Sequence, residues 1–191
     1  MSARELTMQA VADELGVSRK ALHYYVGDRQ GLLSLVVVDR FESELASVEL
    51  PEHDDWRAVL RSYACAFRDG LIQVGATIEH TSLQGAGAAA ALSMAERVLD
   101  ALLSAGFDAD DARRGLTALA NIAQSAAQRA IAASAGQHDY GAETLAALRA
   151  TDDAYPALRR ALTDAPGNDL GQFDFEVELA ITGLERRLTA C

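Results

Sequence analysis

Residues 7–26 contain two short amphipathic segments separated by a tight turn, and this pattern constrains the fold more than any other part of the chain. Thr7 is a suitable helix N-cap because its hydroxyl can accept a hydrogen bond from the first turn. Gly16 can adopt the left-handed conformation that ends a helix, Val17 is placed to fill the turn, and Ser18 can cap a second helix. Apolar residues recur at helical spacing on the inward faces: Met8, Val11, Ala12 and Leu15, then Ala21, Leu22 and Val26. Together these features predict a helix-turn-helix.

The rest of the 191-residue chain also favours helix. Half of the residues are hydrophobic and only three prolines interrupt the chain, which shows no alternation typical of strands. Further helices are predicted at 29–47, 56–74 and 88–104, from Asp108 or Asp110 to Ser134, and at 156–163 and 171–188, with a loop at 136–141 and an ambiguous stretch at 142–154. The predicted fold class is all-α. Residues 1–46 are expected to form a helix-turn-helix domain with a connecting helix, and residues 47–191 a second helical domain.

The charge of the chain limits its nucleic-acid chemistry. A net charge of −11 argues against diffuse binding to phosphates, which requires local positive charge. Residues 1–46 carry five basic and seven acidic side chains, a net charge of −2. Arg19, Lys20 and Arg29 form the only close basic cluster, so any contact with a nucleic acid is expected there.

Several other classes of protein are disfavoured. No run of eighteen apolar residues and no charged-then-apolar leader occurs, so we expect a cytoplasmic protein with no membrane partner. Glu79 and His80 are adjacent and lack a third ligand at suitable spacing, and no nucleophile motif or phosphate loop is present. No metal, cofactor or catalytic residue is therefore predicted. Cys65 is expected to be a buried apolar residue and Cys191 a terminal thiol.

The helix-turn-helix residues resemble the DNA-binding region of tetracycline-repressor (TetR) family regulators. The matching residues are Thr7-Met8, Ala12, Leu15-Gly16-Val17-Ser18, Ala21-Leu22, Tyr25-Val26, Asp28-Arg29 and Leu32. A looser resemblance to the ligand domain of that family covers Trp56-Arg57, Leu60-Arg61, the break at 105–108 and the apolar pattern at 173–188. The resemblance implies that the following residues meet double-stranded operator DNA: Thr7, Ser18, Arg19, Lys20, His23, Tyr24, Tyr25 and Arg29.

Two departures from the family pattern stand out. His23 occupies a position where the family usually has tyrosine. Members of the family carry a full helix before the helix-turn-helix, whereas only six residues precede Thr7 here. The sequence therefore predicts either a start that is internal to a longer gene or a DNA-binding domain that lacks its first helix.

A candidate small-molecule site lies in the second domain, because ligand pockets between helices combine apolar walls with a few polar groups. The predicted contacts are Trp56, Tyr63, Phe67, His80, Gln84, Met94, Asn121, Gln124, Ser125 and Gln128. Asn121, Ser125 and Gln128 share one helix face, which is equally consistent with a solvent-facing row or with a dimer interface.

The resemblance implies a homodimer formed through the helices at 109–134 and 171–188. The leading interpretation is a ligand-responsive dimeric repressor whose affinity for DNA falls when a small molecule binds in the second domain. The alternative is a protein of the same fold that has lost DNA binding and uses its cavity as a small-molecule-binding protein or as a biosynthetic enzyme. A third reading is a dimerisation partner that blocks a related regulator.

Overall fold

The computed structural model describes residues 7–46, 49–51, 55–74, 89–136, 140–151, 154–164 and 171–190, and these residues contain nine helices and no strand. The predicted all-α class is confirmed. The helices are α1 (Met8–Glu14), α2 (Arg19–Val26), α3 (Arg29–Ala46), α4 (Trp56–Val74), α5 (Ala89–Ser104), α6 (Ala109–Ser134), α7 (Tyr140–Arg149), α8 (Pro156–Asp164) and α9 (Gln172–Ala190).

The turn between α1 and α2 is built from the predicted local interactions. The Thr7 hydroxyl accepts a hydrogen bond from the Ala10 N–H at 3.2 Å, and the Ser18 hydroxyl accepts one from the Ala21 N–H at 3.1 Å. Gly16 has a φ of 65°, a conformation that costs glycine little because it has no Cβ. The caps and the left-handed turn therefore arise from the sequence of the turn itself.

Two apolar residues of this turn were expected to be buried, and that expectation is wrong. Leu15 is 62% exposed and Val17 is 42% exposed. Leu15 is the C-cap residue and lies beyond the last residue of α1. The fully buried Ala12 lies almost one turn earlier, so the side chain of Leu15 projects past the edge of the packed region.

Nearly all of the buried apolar residues described fall in two clusters, and α3 contributes to both. The smaller cluster consists of Met8, Ala12, Leu22 and Leu32. The larger cluster is formed mainly by α4, α5, α6 and α9, and it includes Phe41 near the C-terminal end of α3. One continuous helix therefore joins the core of the helix-turn-helix to the core of the body.

Small residues on α6 allow the helices of the body to approach closely. Ala112, Ala123 and Ala127 are buried in the larger cluster. A Cβ placed on Gly115 would lie only 3.1 Å from a methyl carbon of Leu184 on α9. These alanines of α6 are therefore packed within one chain.

Ion pairs join α9 to the two helices beside it. Arg57 pairs with Glu185, and Arg61 pairs with Glu178, whose Oε2 lies 2.8 Å from Arg61 Nη2. On the α6 side, Arg187 Nε donates to the buried carboxylate of Asp111 at 2.7 Å. These contacts fix the register of α9 along the body.

The ambiguous stretch at 142–154 largely forms α7, which begins at Tyr140 and so shortens the loop expected at 136–141. The guanidinium group of Arg159 on α8 donates to the carbonyl oxygens of Leu148 and Ala154 and to Thr151. These bonds satisfy carbonyl groups at the end of α7, which a helix leaves without intrahelical partners. The side chain of Arg159 therefore caps the C-terminal end of α7.

Cys65 was expected to be buried, and this is wrong because it lies on the outer face of α4. Partial burial still raises the pKa of its thiol and outweighs the opposing effect of Arg68. Cys191 lies outside the described residues. No helix in the described part of the chain is long and apolar enough to cross a membrane.

Candidate DNA-reading surface and ligand-binding interior

All eight side chains predicted to meet DNA are exposed; Thr7 precedes α1, and the other seven lie on α2 or beside its ends. Arg19 and His23 are four residues apart and share one side of α2, as do Lys20 and Tyr24. Tyr24 and Tyr25 are 84% and 81% exposed, with ring centroids 5.4 Å apart in an edge-to-face arrangement. This surface presents cationic, hydroxyl and aromatic groups without burying any of them.

The hydroxyl groups of Thr7 and Ser18 are exposed while they cap their helices. Each oxygen accepts a backbone N–H, which leaves the hydroxyl proton available to donate to an outside acceptor. Asp28 caps the start of α3 in the same way, because its carboxylate accepts a hydrogen bond from the N–H of Gly31 at 2.9 Å. The caps therefore fix the directions of α1, α2 and α3 and place polar groups at the surface.

The apolar residues predicted to line a ligand site lie together in the larger cluster. Trp56, Tyr63 and Met94 are buried, and Phe67 is partly buried against them. The ring of Tyr63 stacks on that of Phe67 with centroids 5.7 Å apart and an interplanar angle of 21°. Phe67 in turn meets the edge of Phe41, also at 5.7 Å.

The hydroxyl group of Tyr63 is unusual in this cluster. Tyr63 is 5% exposed, and within the described part of the chain its hydroxyl forms no hydrogen bond. Burial raises the pKa of Tyr63 to about 12, so the phenol is neutral at physiological pH. A buried hydroxyl without a partner is unfavourable, and such groups are rare in folded proteins.

Four of the six polar residues predicted for the same site are described by the structure. Asn121, Gln124, Ser125 and Gln128 are all exposed on α6. Ser125 accepts a hydrogen bond from Arg129 at 2.8 Å. His80 and Gln84 lie outside the described residues. The assignment of these six side chains to ligand contacts stays a prediction.

The helices predicted to form a dimer interface present an apolar surface. Phe175 and Leu179 lie one turn apart on α9 and are 63% and 62% exposed. Ala118 on α6 is exposed as well. These side chains are not needed for the core of a single chain.

Sequence reasoning missed the ion pairs that α9 makes with α4 and α6, because Arg57 and Glu185 are 128 positions apart. It also missed the contact that Phe41 makes with the aromatic residues of α4. Helical spacing indicates that Phe41 is buried, but it does not indicate which ring it meets.

No group of three or more His, Cys, Asp or Glu residues that could hold a metal ion occurs among the described residues. Glu79 and His80 lie outside them.

The fold and the exposed α2 surface define an all-helical protein with an N-terminal helix-turn-helix. Residues 49–188 match the family model described as "Tetracyclin repressor-like, C-terminal domain". The chain therefore belongs to the tetracycline-repressor (TetR) family of transcriptional regulators.

Two tetracycline repressors of Escherichia coli are similar along most of their length. The class C repressor is 29% identical over 187 residues, which cover 96% of this chain and 84% of the repressor. The class A repressor from transposon 1721 is 30% identical over 187 residues, which cover 95% and 82%.

Solved structures of the family share the fold. The Streptomyces coelicolor TetR family protein ActR, in complex with actinorhodin, superposes with a TM-score of 0.73 at 21% identity, covering 97% of this chain and 89% of ActR. A variant of TetR from Acinetobacter baumannii AYE, in complex with minocycline, gives a TM-score of 0.61 at 20% identity, covering 96% and 87%.

Proposed function

We propose that the protein is a dimeric transcriptional repressor whose affinity for operator DNA falls when a small molecule binds in the body. The observation that carries this proposal is the continuity of α3, which places Leu32 in the core of the helix-turn-helix and Phe41 in the core of the body. A change in the packing around Phe41 can therefore displace α3 as a rigid helix and so change the position of α2. In this proposal residues 1–46 bind DNA, and residues 47–191 bind the ligand and form the dimer, with the domain boundary as predicted.

The chemistry of α2 supports operator binding. Arginine and lysine pair with guanine edges in the major groove, and hydroxyl groups bond phosphates. Arg19, Lys20 and His23 are proposed to face the groove, and Thr7 and Arg29 the phosphates. Because the whole chain is acidic, this small basic surface should give selective rather than diffuse binding.

The interior around Tyr63 and Phe67 supports a ligand with aromatic character. ActR and the A. baumannii TetR variant form complexes with actinorhodin and minocycline respectively. We propose that this chain also binds a small organic molecule against the aromatic residues of α4, with Trp56 and Met94 as further walls.

The exposed apolar residues of α9 support self-association. Pairing of α6 and α9 with the same helices of a second copy would cover Phe175 and Leu179. A two-fold dimer also places two recognition helices on successive major grooves, as a palindromic operator requires. Ligand would then favour a spacing of the two α2 helices that no longer fits the operator.

Fluorescence anisotropy of the purified chain with DNA from around its own gene, titrated across salt, tests this proposal. We expect selective binding that weakens with salt. Arg19→Ala should weaken binding and discriminate less between sequences, whereas the matched control Arg113→Ala, an exposed arginine on α6, should bind as the wild type does. Addition of minocycline or actinorhodin to the complex is the first screen for release.

A folded dimer that binds no duplex selectively would contradict the proposal. That result would instead favour a small-molecule-binding protein or an enzyme built on this fold.

A further inference from the structure

His23 differs from the other basic side chains of α2 because its charge depends on pH. It is the only histidine among the residues that the structure describes. Arg19 precedes it by one helical turn on the same side of α2, and Lys20 is the next residue after Arg19. Arginine and lysine are charged throughout the physiological range, whereas histidine gains a charge only as the pH falls from about 8 to about 5.

The ring of His23 has no role in holding the described part of the chain together. The side chain is exposed, and only its backbone carbonyl is bonded, to the N–H of Gly27 at 2.9 Å. The imidazole forms no hydrogen bond and no ion pair with any residue that the structure describes. Both ring nitrogens can therefore bond a group that approaches α2 from outside.

The two helices packed against α2, which are α1 and α3, supply no described counter-charge for a protonated ring. Their described charged groups are Asp13 and Glu14 at the end of α1, Asp28 and Arg29 at the start of α3, and, more than two turns further along α3, Asp39 and Arg40. Asp13 accepts a hydrogen bond from Gln9 at 2.7 Å, and Asp28 caps α3. None of these groups is bonded to His23. A proton on the ring would add a positive charge beside Arg19 that only an anion from outside can balance.

The phosphates of a DNA duplex are anions of the required kind. A neutral imidazole donates one hydrogen bond and carries no charge, whereas the imidazolium donates from both nitrogens and is attracted to a phosphate. DNA therefore interacts more strongly with the protonated state of the ring than with the neutral state. Such a difference couples two binding events reciprocally, so a group that favours DNA binding when protonated is itself protonated more readily in the complex.

We infer that DNA binding by α2 takes up a proton at His23: the ring binds a proton from the solvent and donates to a phosphate oxygen at the edge of the major groove. The affinity for DNA then rises as the pH falls from about 8 to about 5.5. The inference rests on the proposed function, since it assumes that α2 binds DNA. Arg19 and Lys20 contact the duplex at every pH, and His23 adds a contact that depends on pH.

The size of the effect follows from the release of counterions from DNA. For each phosphate that a protein neutralises, the logarithm of the binding constant falls with the logarithm of the salt concentration by a further slope of about 0.9. One added positive charge should therefore make the salt dependence steeper by about 0.9. In about 0.1 M salt the same charge should raise the affinity about five- to tenfold.

Fluorescence anisotropy with a duplex selected in vitro for binding tests the coupling at about pH 8 and about pH 5.5. The wild type should show the rise in affinity and the steeper salt dependence at the lower pH. His23→Gln should lose both, because glutamine donates a hydrogen bond but takes up no proton. His23→Arg should show the steeper salt dependence at both pH values, because its charge is permanent. The matched controls His53→Gln and His138→Gln, at histidines outside α2, should keep the pH dependence of the wild type.

Titration calorimetry in two buffers of different ionisation enthalpy measures the proton itself. At about pH 6.5 the wild type should take up a fraction of a proton for each chain that binds the duplex, and His23→Gln should take up none. Selective binding whose affinity does not change with pH, or a rise in affinity that His23→Gln retains, would overturn the inference and leave the proposed function intact. A folded wild type that binds no duplex selectively at either pH would overturn both.

Discussion

Gly31 provides a sharp test of how α2 and α3 pack. A Cβ added at this position would overlap the backbone carbonyl oxygen of Val26, the last residue of α2. Replacing glycine by alanine inside a helix normally stabilises by about 1 kcal/mol, because alanine is the better helix former. Here the carbonyl cannot rotate away as a side chain would, so the whole end of α2 must move.

The expected cost of Gly31→Ala follows from what that movement disturbs. Overpacking of a close contact costs about 1–3 kcal/mol, and a shift of α2 also separates Leu22 from Leu32 in the smaller cluster. We therefore expect a net destabilisation of the helix-turn-helix of roughly 1–2 kcal/mol after the gain in helix propensity. Only the folded helix-turn-helix binds, so DNA affinity should fall by the same factor as the folded fraction of this domain, which is at most about tenfold for a loss of about 1.4 kcal/mol.

Hydrogen exchange of the α1 and α2 amides and anisotropy with operator DNA measure the two effects. The matched control is Gly183→Ala, at a helical glycine on α9 where an added Cβ meets no described atom within 4 Å. This control should leave hydrogen exchange in α1 and α2 unchanged, because Gly183 lies on α9 in the body. If Gly31→Ala raises the urea midpoint and leaves exchange in α2 unchanged, the close approach of α2 and α3 is refuted.

Three further predictions concern charged and titratable groups. Arg187→Ala leaves the buried carboxylate of Asp111 without its partner and should lower the free energy of unfolding by about 1–3 kcal/mol in urea titrations at pH 7. The hydrogen bond from Arg61 lowers the pKa of Glu178, so its contribution to stability is present at neutral pH and is lost as the pH falls through that lowered pKa; Glu178→Gln should therefore differ from the wild type at pH 7 and converge with it in acid. Burial raises the pKa of Tyr63 from 10.0 to about 12. The contribution of the neutral phenol to the free energy of unfolding is therefore fully present below pH 10 and is lost as the pH rises towards 12. Tyr63→Phe should reduce this alkaline loss, and an unchanged loss would contradict the burial of the phenol.

The local chemistry of the helix ends could be predicted from the sequence. Thr7 and Ser18 cap their helices through atoms only three residues away, and Gly16 turns the chain through its own backbone. The bounds of α4 also follow from its pattern, because its buried residues recur strongly on one face. These features depend on interactions within a few residues of the chain.

The exposed faces of α6 could not be predicted in the same way. This helix has alanine on both its buried and its exposed sides, as Ala112 and Ala118 illustrate, so its pattern does not reveal which face packs on α4. The sequence therefore left the polar row at Asn121 and Ser125 open between a ligand site, a solvent-facing row and a dimer interface, and both side chains are exposed in a single chain. Burial on such a helix depends on the packing of α4 and α9, which lie far away in sequence.

The unequal size of the two clusters has a consequence for how the protein holds DNA. Four buried side chains make up the described core of the helix-turn-helix, whereas the body has a core several times larger. Regions with few buried apolar contacts open separately, at a lower free energy than global unfolding. The helix-turn-helix should therefore unfold and refold locally while the body stays folded. Part of the free energy of binding to each operator would then offset the cost of folding the helix-turn-helix. This folding cost is the same for every duplex, so it lowers the affinity for all of them by one factor. The duplexes that make the weakest contacts are therefore the first whose affinity becomes too low for occupancy.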